Sequence, residues 1–341
     1  MKKKYQNLFF FAGLGFLLLM TTQLDFAEVC EGVLRAGYWF LAVVLLWAVL
    51  YIFNTAAWWI IIKAPSKNDS REQIQAKDAP FSFLWLYKIT VSGFALNYAT
   101  PGGLMGGEPY KIMSLSPKIG TERATASVIL HTMTHIFSHF WYWLLSCVLF
   151  LLTEPMTLFM GILLTVVGMF CLTAIWFFMK GYKKGIAQSL MRMLSHIPFV
   201  KGWAIPFVER HAEQLHTIDQ QIAALHNQNP RTFVTAVLLE LTCRIVSALE
   251  ILFILLVILP DASFIQCILI LAFTSLVANM LFFIPLQLGG REGGFLLSVN
   301  GLGMTASDGI FVALLVRLRE LIWTGIGLLL IKMEKREKHI A

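Results

Sequence analysis

Six charged residues fall where a bilayer would exclude them. Glu240, Arg244 and Glu250 lie within one apolar run, and Arg317, Arg319 and Glu320 lie near the middle of another. A charge at mid-bilayer costs about 2.5–3.5 kcal/mol on insertion scales, so six are retained only if they pair or face a polar cavity. Glu240 and Arg244 are four residues apart and Arg317 and Glu320 three apart, so each couple can pair along its own helix. The plain reading is a set of buried ion pairs that fix helix packing. The functional reading is that the arginines hold an anion, because a planar guanidinium grips phosphate oxygens two at a time.

Two glycine-rich segments would have to position that chemistry. One reads Pro101-Gly-Gly103-Leu-Met-Gly106-Gly107-Glu108, the other Pro285-Leu-Gln-Leu-Gly289-Gly290-Arg291-Glu292. In both, Leu follows the Pro by three residues and Glu follows it by seven. Gly/Pro-interrupted apolar segments at matching places in two halves point to a transport site, and backbone freed inside a bilayer is tolerated only within protein or along a wet cavity. Glycine lets the chain turn sharply and approach a ligand, and a helix starting after the turn aims its N–H groups at an anion. Lys111 and Arg291 add positive charge at the two turns, and Glu108 and Glu292 can cap the helix starts, bind a cation across the repeat or carry protons. Asn97 and Asn279, four and six residues before the prolines, can satisfy backbone groups freed at the breaks. The plain alternative is glycine used for tight helix packing.

His131, His135 and His139 recur every fourth residue and share one helix face. That spacing spreads three ligands over about 12 Å, too far for one ion, so a polar stripe facing a cavity is the expectation and no metal is. The tryptophans Trp58, Trp59, Trp85, Trp141 and Trp143 fit interfacial belts or lipid-facing packing. Five scattered cysteines form neither a CxxC motif nor a disulfide framework.

Composition sets the class. At 57% hydrophobic, 14% charged and a mean hydropathy of +0.71, the chain is too apolar for an ordinary soluble domain and reads as an all-α polytopic membrane protein. The net charge of +7 sits in loops and tails, as the positive-inside rule requires, so nucleic acid is not an expected partner. P-loop, HExxH and GxSxG motifs are missing from the sequence, no cofactor is expected, and any energy source would be an ion or lipid gradient or the membrane potential.

Apolar runs near the required ~20 residues occur at 8–24, 36–62, 125–152, 156–179, 231–259 and 308–331. The first, behind Lys2-Lys3-Lys4, reads as an uncleaved span. Two more apolar runs, 81–100 and 264–284, end in the glycine motifs. Loop charge puts the N-terminus, 63–80, 180–230 and the C-terminus inside if the segments 81–118 and 264–305 are re-entrant hairpins. Six full spans plus two hairpins then form an inverted repeat with halves 36–152 and 231–331 in one membrane domain, 1–341. Two full crossings remain open for the second hairpin. Residues 180–230 form a cytoplasmic segment whose later part is amphipathic, with Leu215, Ile218, Ile222 and Leu225 on one face.

The stretch Asn97-Tyr-Ala-Thr-Pro101 through Glu108-Pro109-Tyr-Lys111, with Ile284-Pro285 through Gly293-Gly294 far downstream, resembles the lysylphosphatidylglycerol synthase transmembrane-region family. That family is the flippase-like membrane domain of the multiple peptide resistance factor and also occurs alone. The resemblance implies a bacterial or archaeal cytoplasmic-membrane protein that moves lipid across the bilayer. The separate domain that makes aminoacylated phosphatidylglycerol is not in this sequence, so aminoacyl transfer and transfer-RNA binding are not expected. The expected site sets a head group between Gly106, Gly107, Gly289 and Gly290, with Lys111, Arg244, Arg291, Arg317 and Arg319 as anion ligands and Glu108 and Glu292 orienting them. Expected partners are an anionic phospholipid or a polyprenyl-phosphate-linked lipid, with a second copy or a cytoplasmic protein as further options. A membrane-embedded enzyme or enzyme subunit acting on a lipid-linked substrate, and a non-transporting scaffold, are the alternatives.

Overall fold

The structure, a computed structural model, describes residues 26–64, 80–98, 106–182, 230–280 and 290–337. The expected first span at 8–24, residues 183–229, and Pro101, Gly103, Pro285 and Gly289 lie outside the described residues. Every described element is a helix: α1 Phe26–Ala36, α2 Tyr38–Lys63, α3 Phe83–Tyr98, α4 Gly107–Ile119, α5 Thr121–Thr153, α6 Leu158–Tyr182, α7 Pro230–Leu255, α8 Phe264–Met280, α9 Gly290–Gly301 and α10 Ala306–Glu337.

Local chemistry sets the boundaries. Gly37, at φ 54°, separates α1 from α2, and Gly120, at φ 86°, separates α4 from α5. Few residues other than glycine adopt that backbone without strain. The apolar run 231–259 continues past the helix, but α7 stops at Leu255, before Pro260, which disfavours helix in the residue ahead of it. At the other extreme, α10 runs beyond its apolar stretch to Glu337, because Lys and Glu are good helix formers once the chain leaves the apolar layer.

Among the described residues, α2, α5 and α6 are long and apolar enough to cross a membrane by length and composition. With 26 and 32 residues, α7 and α10 also have the length, but each carries three of its charges mid-helix. The α3, α4, α8 and α9 helices have 16, 13, 17 and 12 residues. At about 1.5 Å per residue they reach roughly 18–26 Å, short of a hydrocarbon core of about 30 Å.

The packing sets the short helices against the long ones. The α2 helix lies along α7, α3 lies on α10, and α8 packs on α5 and α7. Each short second helix is held by its neighbours in sequence: α4 by α3 and α5, α9 by α8 and α10. Where α10 crosses α3, a Cβ on Gly327 would fall 2.4 Å from the Ala95 Cβ and 2.9 Å from the Val91 carbonyl oxygen. Only glycine permits that approach, and the Ser92 hydroxyl donates to the Gly327 carbonyl across it at 3.1 Å. The outlying helix is α6, which packs on α5 and leaves Leu158, Phe159, Met169 and Phe177 exposed. A contiguous apolar face of that kind is a lipid-facing surface in a membrane protein and an aggregation site in a soluble one.

Candidate functional site

Side chains tie the end of α3 to the start of α4, where the first glycine segment ends. The Asn97 side-chain oxygen accepts the Gly107 N–H at 2.8 Å, and its NH2 donates to Glu108 Oε1 at 3.1 Å. One amide thus joins the end of α3 to the start of α4 and satisfies one of the orphan donors of that helix start. A Cβ on Gly107 would meet the Gly93 carbonyl oxygen at 2.1 Å and the Asn97 Oδ1 at 2.6 Å, so no side chain fits there. Gly106 is buried beside it, whereas Pro109 faces outward from the first turn of α4. Lys111 is buried, with Nζ 3.7 Å from Glu108 Oε1 and 4.8 Å from the Phe94 ring centre. Glu108 Oε2 has no hydrogen-bond partner among the described residues.

The second segment reaches outward instead. Gly290, the buried first residue of α9, leads into Arg291, which pairs with Glu320 of α10 and donates to the Tyr98 hydroxyl at 3.3 Å. Glu292 pairs with Arg317 of α10, and Arg317 also reaches the Tyr98 hydroxyl at 3.5 Å. The expected Arg317–Glu320 pair along one helix is therefore corrected: their side chains take partners on α9. Asn279 is exposed and donates to the Ser275 carbonyl at 2.7 Å within α8. It sits one residue before the end of α8 at Met280, and the break that follows lies outside the described residues.

The expected Glu240–Arg244 pair is corrected as well. Glu240, on α7, turns to α5, where His135 Nδ1 lies 2.8 Å from its Oε2 and His131 Nε2 lies 3.3 Å from its Oε1. Arg244 donates from Nε to the Ser138 hydroxyl and from Nη2 to the His135 carbonyl, both at 2.8 Å. Among the described residues no carboxylate pairs with it. Arg319 is the opposite case. Its Nε and Nη2 grip Glu250 at 2.7 and 2.9 Å, its guanidinium lies 3.8 Å from the centre of a Trp47 ring, and the Trp47 N–H donates to Glu250 at 2.9 Å.

These groups converge on one cavity of about 270 Å³ between α2, α3, α5, α7, α9 and α10. Arg244, Arg291, Arg319, Glu240, Glu320, His135 and His139 line it, with Tyr51, Tyr98 and Trp47 among the rings of its wall. The charges balance in a particular way. Arg319 and Arg291 each contact a carboxylate, and Glu240 turns its Oε2 to His135, so Arg244 is the arginine of this wall with no carboxylate in direct contact among the described residues. The Arg317–Glu292 pair stands in an adjoining crevice of about 10 Å³, too small for a head group, and neither Lys111 nor Glu108 reaches the cavity wall. A larger cavity of about 400 Å³ between α5, α6, α8 and α9 is walled almost wholly by apolar side chains and has no charged residue. Among the described residues no three His, Cys, Asp or Glu side chains group as a metal site.

Sequence reasoning passed over Tyr98 and Trp47. Tyr98 follows Asn97 directly and so could have been drawn in with the motif. Trp47 sits mid-span in an unbroken apolar run, where nothing sets it apart.

Helices long enough to span a bilayer, a lipid-type outer face and a charged cavity buried among them define an integral membrane protein. The chain matches the family described as the lysylphosphatidylglycerol synthase TM region over residues 7–327, nearly its whole length, and belongs to that family. No significant match to the chain is found among curated proteins or among solved structures.

Proposed function

We propose that the chain carries the anionic head group of a membrane lipid across the cytoplasmic membrane, through the cavity lined by Arg244, while the acyl chains stay in the bilayer. The family fits a membrane lipid-related role. The observation that carries the transport reading is Arg244: a half-buried arginine with no carboxylate in contact among the described residues, facing a cavity wide enough for a phosphate group. A guanidinium held away from bulk water with no carboxylate in direct contact keeps donors free, and a ligand anion would take them.

An inverted repeat is part of the same proposal. Helices α2 to α5 have 26, 16, 13 and 33 residues, and α7 to α10 have 26, 17, 12 and 32. Exchange of the two sets carries the α3–α10 contact into α8–α5 and leaves α2–α7 on itself. Re-entrant α3–α4 and α8–α9 hairpins meeting near the midplane, with both termini cytoplasmic, are the arrangement we favour.

A second reading, a membrane-embedded transferase acting on a lipid-linked substrate, draws on His135 backed by Glu240, an arrangement that suits a general base. Native mass spectrometry with lipidomics on the purified chain tests both. We expect one anionic phospholipid or polyprenyl-phosphate species enriched in the wild type and lost in Arg244→Ala. The same lipid profile in both proteins would remove Arg244 from the site, and a chemically altered lipid appearing on incubation would favour the transferase.

A further inference from the structure

We infer that an anion entering the cavity brings one proton with it, held on His135. The inference rests on the anion-site reading and adds a second ligand, the proton, that this reading does not require.

Hydrogen-bond accounting fixes the starting state. Glu240 is buried, and as a carboxylate it can only accept. Its Oε2 lies 2.8 Å from His135 Nδ1, so that nitrogen carries a hydrogen. His131 Nε2 lies 3.2 Å from the Asn54 carbonyl oxygen, which also can only accept, so the His131 hydrogen is on Nε2. Both rings are then satisfied as neutral imidazoles. The second nitrogen of His135, Nε2, is left with a lone pair on a ring that lines the cavity and whose side chain is 31% exposed.

A lone pair repels the oxygens of an anion, whereas an added proton turns the same nitrogen into a charged donor. The surroundings decide when that happens. From α7, the Arg244 guanidinium donates to the His135 carbonyl and opposes a second positive charge, while Glu240 favours it. On α5 itself, His139 lies with its ring centre 5.5 Å away, and its Nδ1 is buried without a hydrogen-bond partner among the described residues. Tyr51 from α2 and Tyr98 from α3 bring hydroxyl groups to the wall. Across the cavity Arg291 and Arg319 are matched by Glu320 and Glu250, and on α4 Lys111 is matched by Glu108. In the empty cavity Arg244 and Glu240 therefore act on the His135 ring in opposite directions. An anion seated on Arg244 cancels the first and leaves the second, so the ring gains a proton from solvent as the anion binds. By linkage, protonation strengthens anion binding by the same factor. Affinity should then fall by up to about tenfold per pH unit once the pH exceeds that of the ring in the empty cavity, until the ring in the complex has also lost its proton.

The test is calorimetric titration of the full chain in detergent micelles with dihexanoyl phosphatidylglycerol, at one pH above neutrality, in two non-phosphate buffers of different ionisation heat. The difference in heat counts protons. We expect uptake approaching about one proton per lipid in the wild type. His135→Asn, which keeps a donor for Glu240, should still bind but with uptake near zero and a flattened pH profile. His139→Gln should retain the uptake. Wild-type binding with no proton exchange, uptake that persists in His135→Asn, or uptake lost in His139→Gln instead would each overturn the inference. No wild-type heat from binding in either buffer would remove the anion-site reading itself, and this inference with it.

Discussion

The two glycine segments share a spelling and differ in use. Six residues after its proline the first has Gly107, where a Cβ would collide with the Gly93 carbonyl, and the second has Arg291, whose side chain crosses to α10. Seven residues after, the first has Glu108, bound by Asn97 and Lys111 inside the same hairpin, and the second has Glu292, bound by Arg317 outside it. Ten residues after, Lys111 stands where the second has the buried apolar Phe295. The described end of the first segment is thus a brace in which Asn97, Gly107, Glu108 and Lys111 contact one another. The second turns its polar groups to α10, and its Arg291 lines the cavity. One motif can recur in both halves while the residues inside it decide which copy lines the cavity.

The largest expected effect comes from forcing the brace open. Gly107→Ala should cost about 5 kcal/mol, the upper end for a single substitution, because the Cβ meets backbone and not a flexible side chain. Its melting temperature in detergent, compared with that of Gly293→Ala, where a Cβ meets nothing within 4 Å, measures the contrast between the segments. Next is Arg319→Ala, which should cost about 3–5 kcal/mol by leaving Glu250 buried and unpaired. Adding Glu250→Leu should restore most of the melting temperature, since the loss comes from the stranded charge and not from the pair itself. A smaller test compares the two asparagines. Asn97→Ala should cost about 1–2 kcal/mol through the lost bonds to Gly107 and Glu108, and Asn279→Ala less than about 0.5 kcal/mol as an exposed site. Equal losses would mean that the two segments are braced alike. The smallest effect should be at the Glu292–Arg317 pair, which is partly exposed on the Glu292 side. Either single charge reversal should lower the melting temperature slightly, and the double reversal should recover it.

The sequence showed the breaks, the spans and the unusual charges, but not who pairs with whom. Helix ranges followed the apolar runs, because length and hydropathy are local properties. Asn97 could be read as a brace from its place before Pro101, and Gly107 as a required glycine from the motif. The pairings of Glu240, Arg244, Arg317 and Glu320 could not. Spacing of three or four residues marks what can meet on one helix, whereas each of these side chains found a closer partner on a neighbouring helix. The histidine stripe on α5 was visible as a stripe. Its carboxylate, Glu240, lies more than a hundred residues away and comes to it only through packing of α7 on α5. Lys111 and Arg317 looked equal to Arg244 as anion ligands, and only the fold shows that both already have carboxylates.

Arg244 carries the central claim, and lipid movement in proteoliposomes tests it most directly. Vesicles holding the full chain and a trace of head-group-labelled phosphatidylglycerol are exposed to a membrane-impermeant quencher, and the fraction of label quenched and its rate are followed. The wild type should expose nearly all of the label, and Arg244→Ala should fall to the level of protein-free vesicles while keeping a wild-type melting temperature. Full exposure of the label by a folded Arg244→Ala protein would contradict the account.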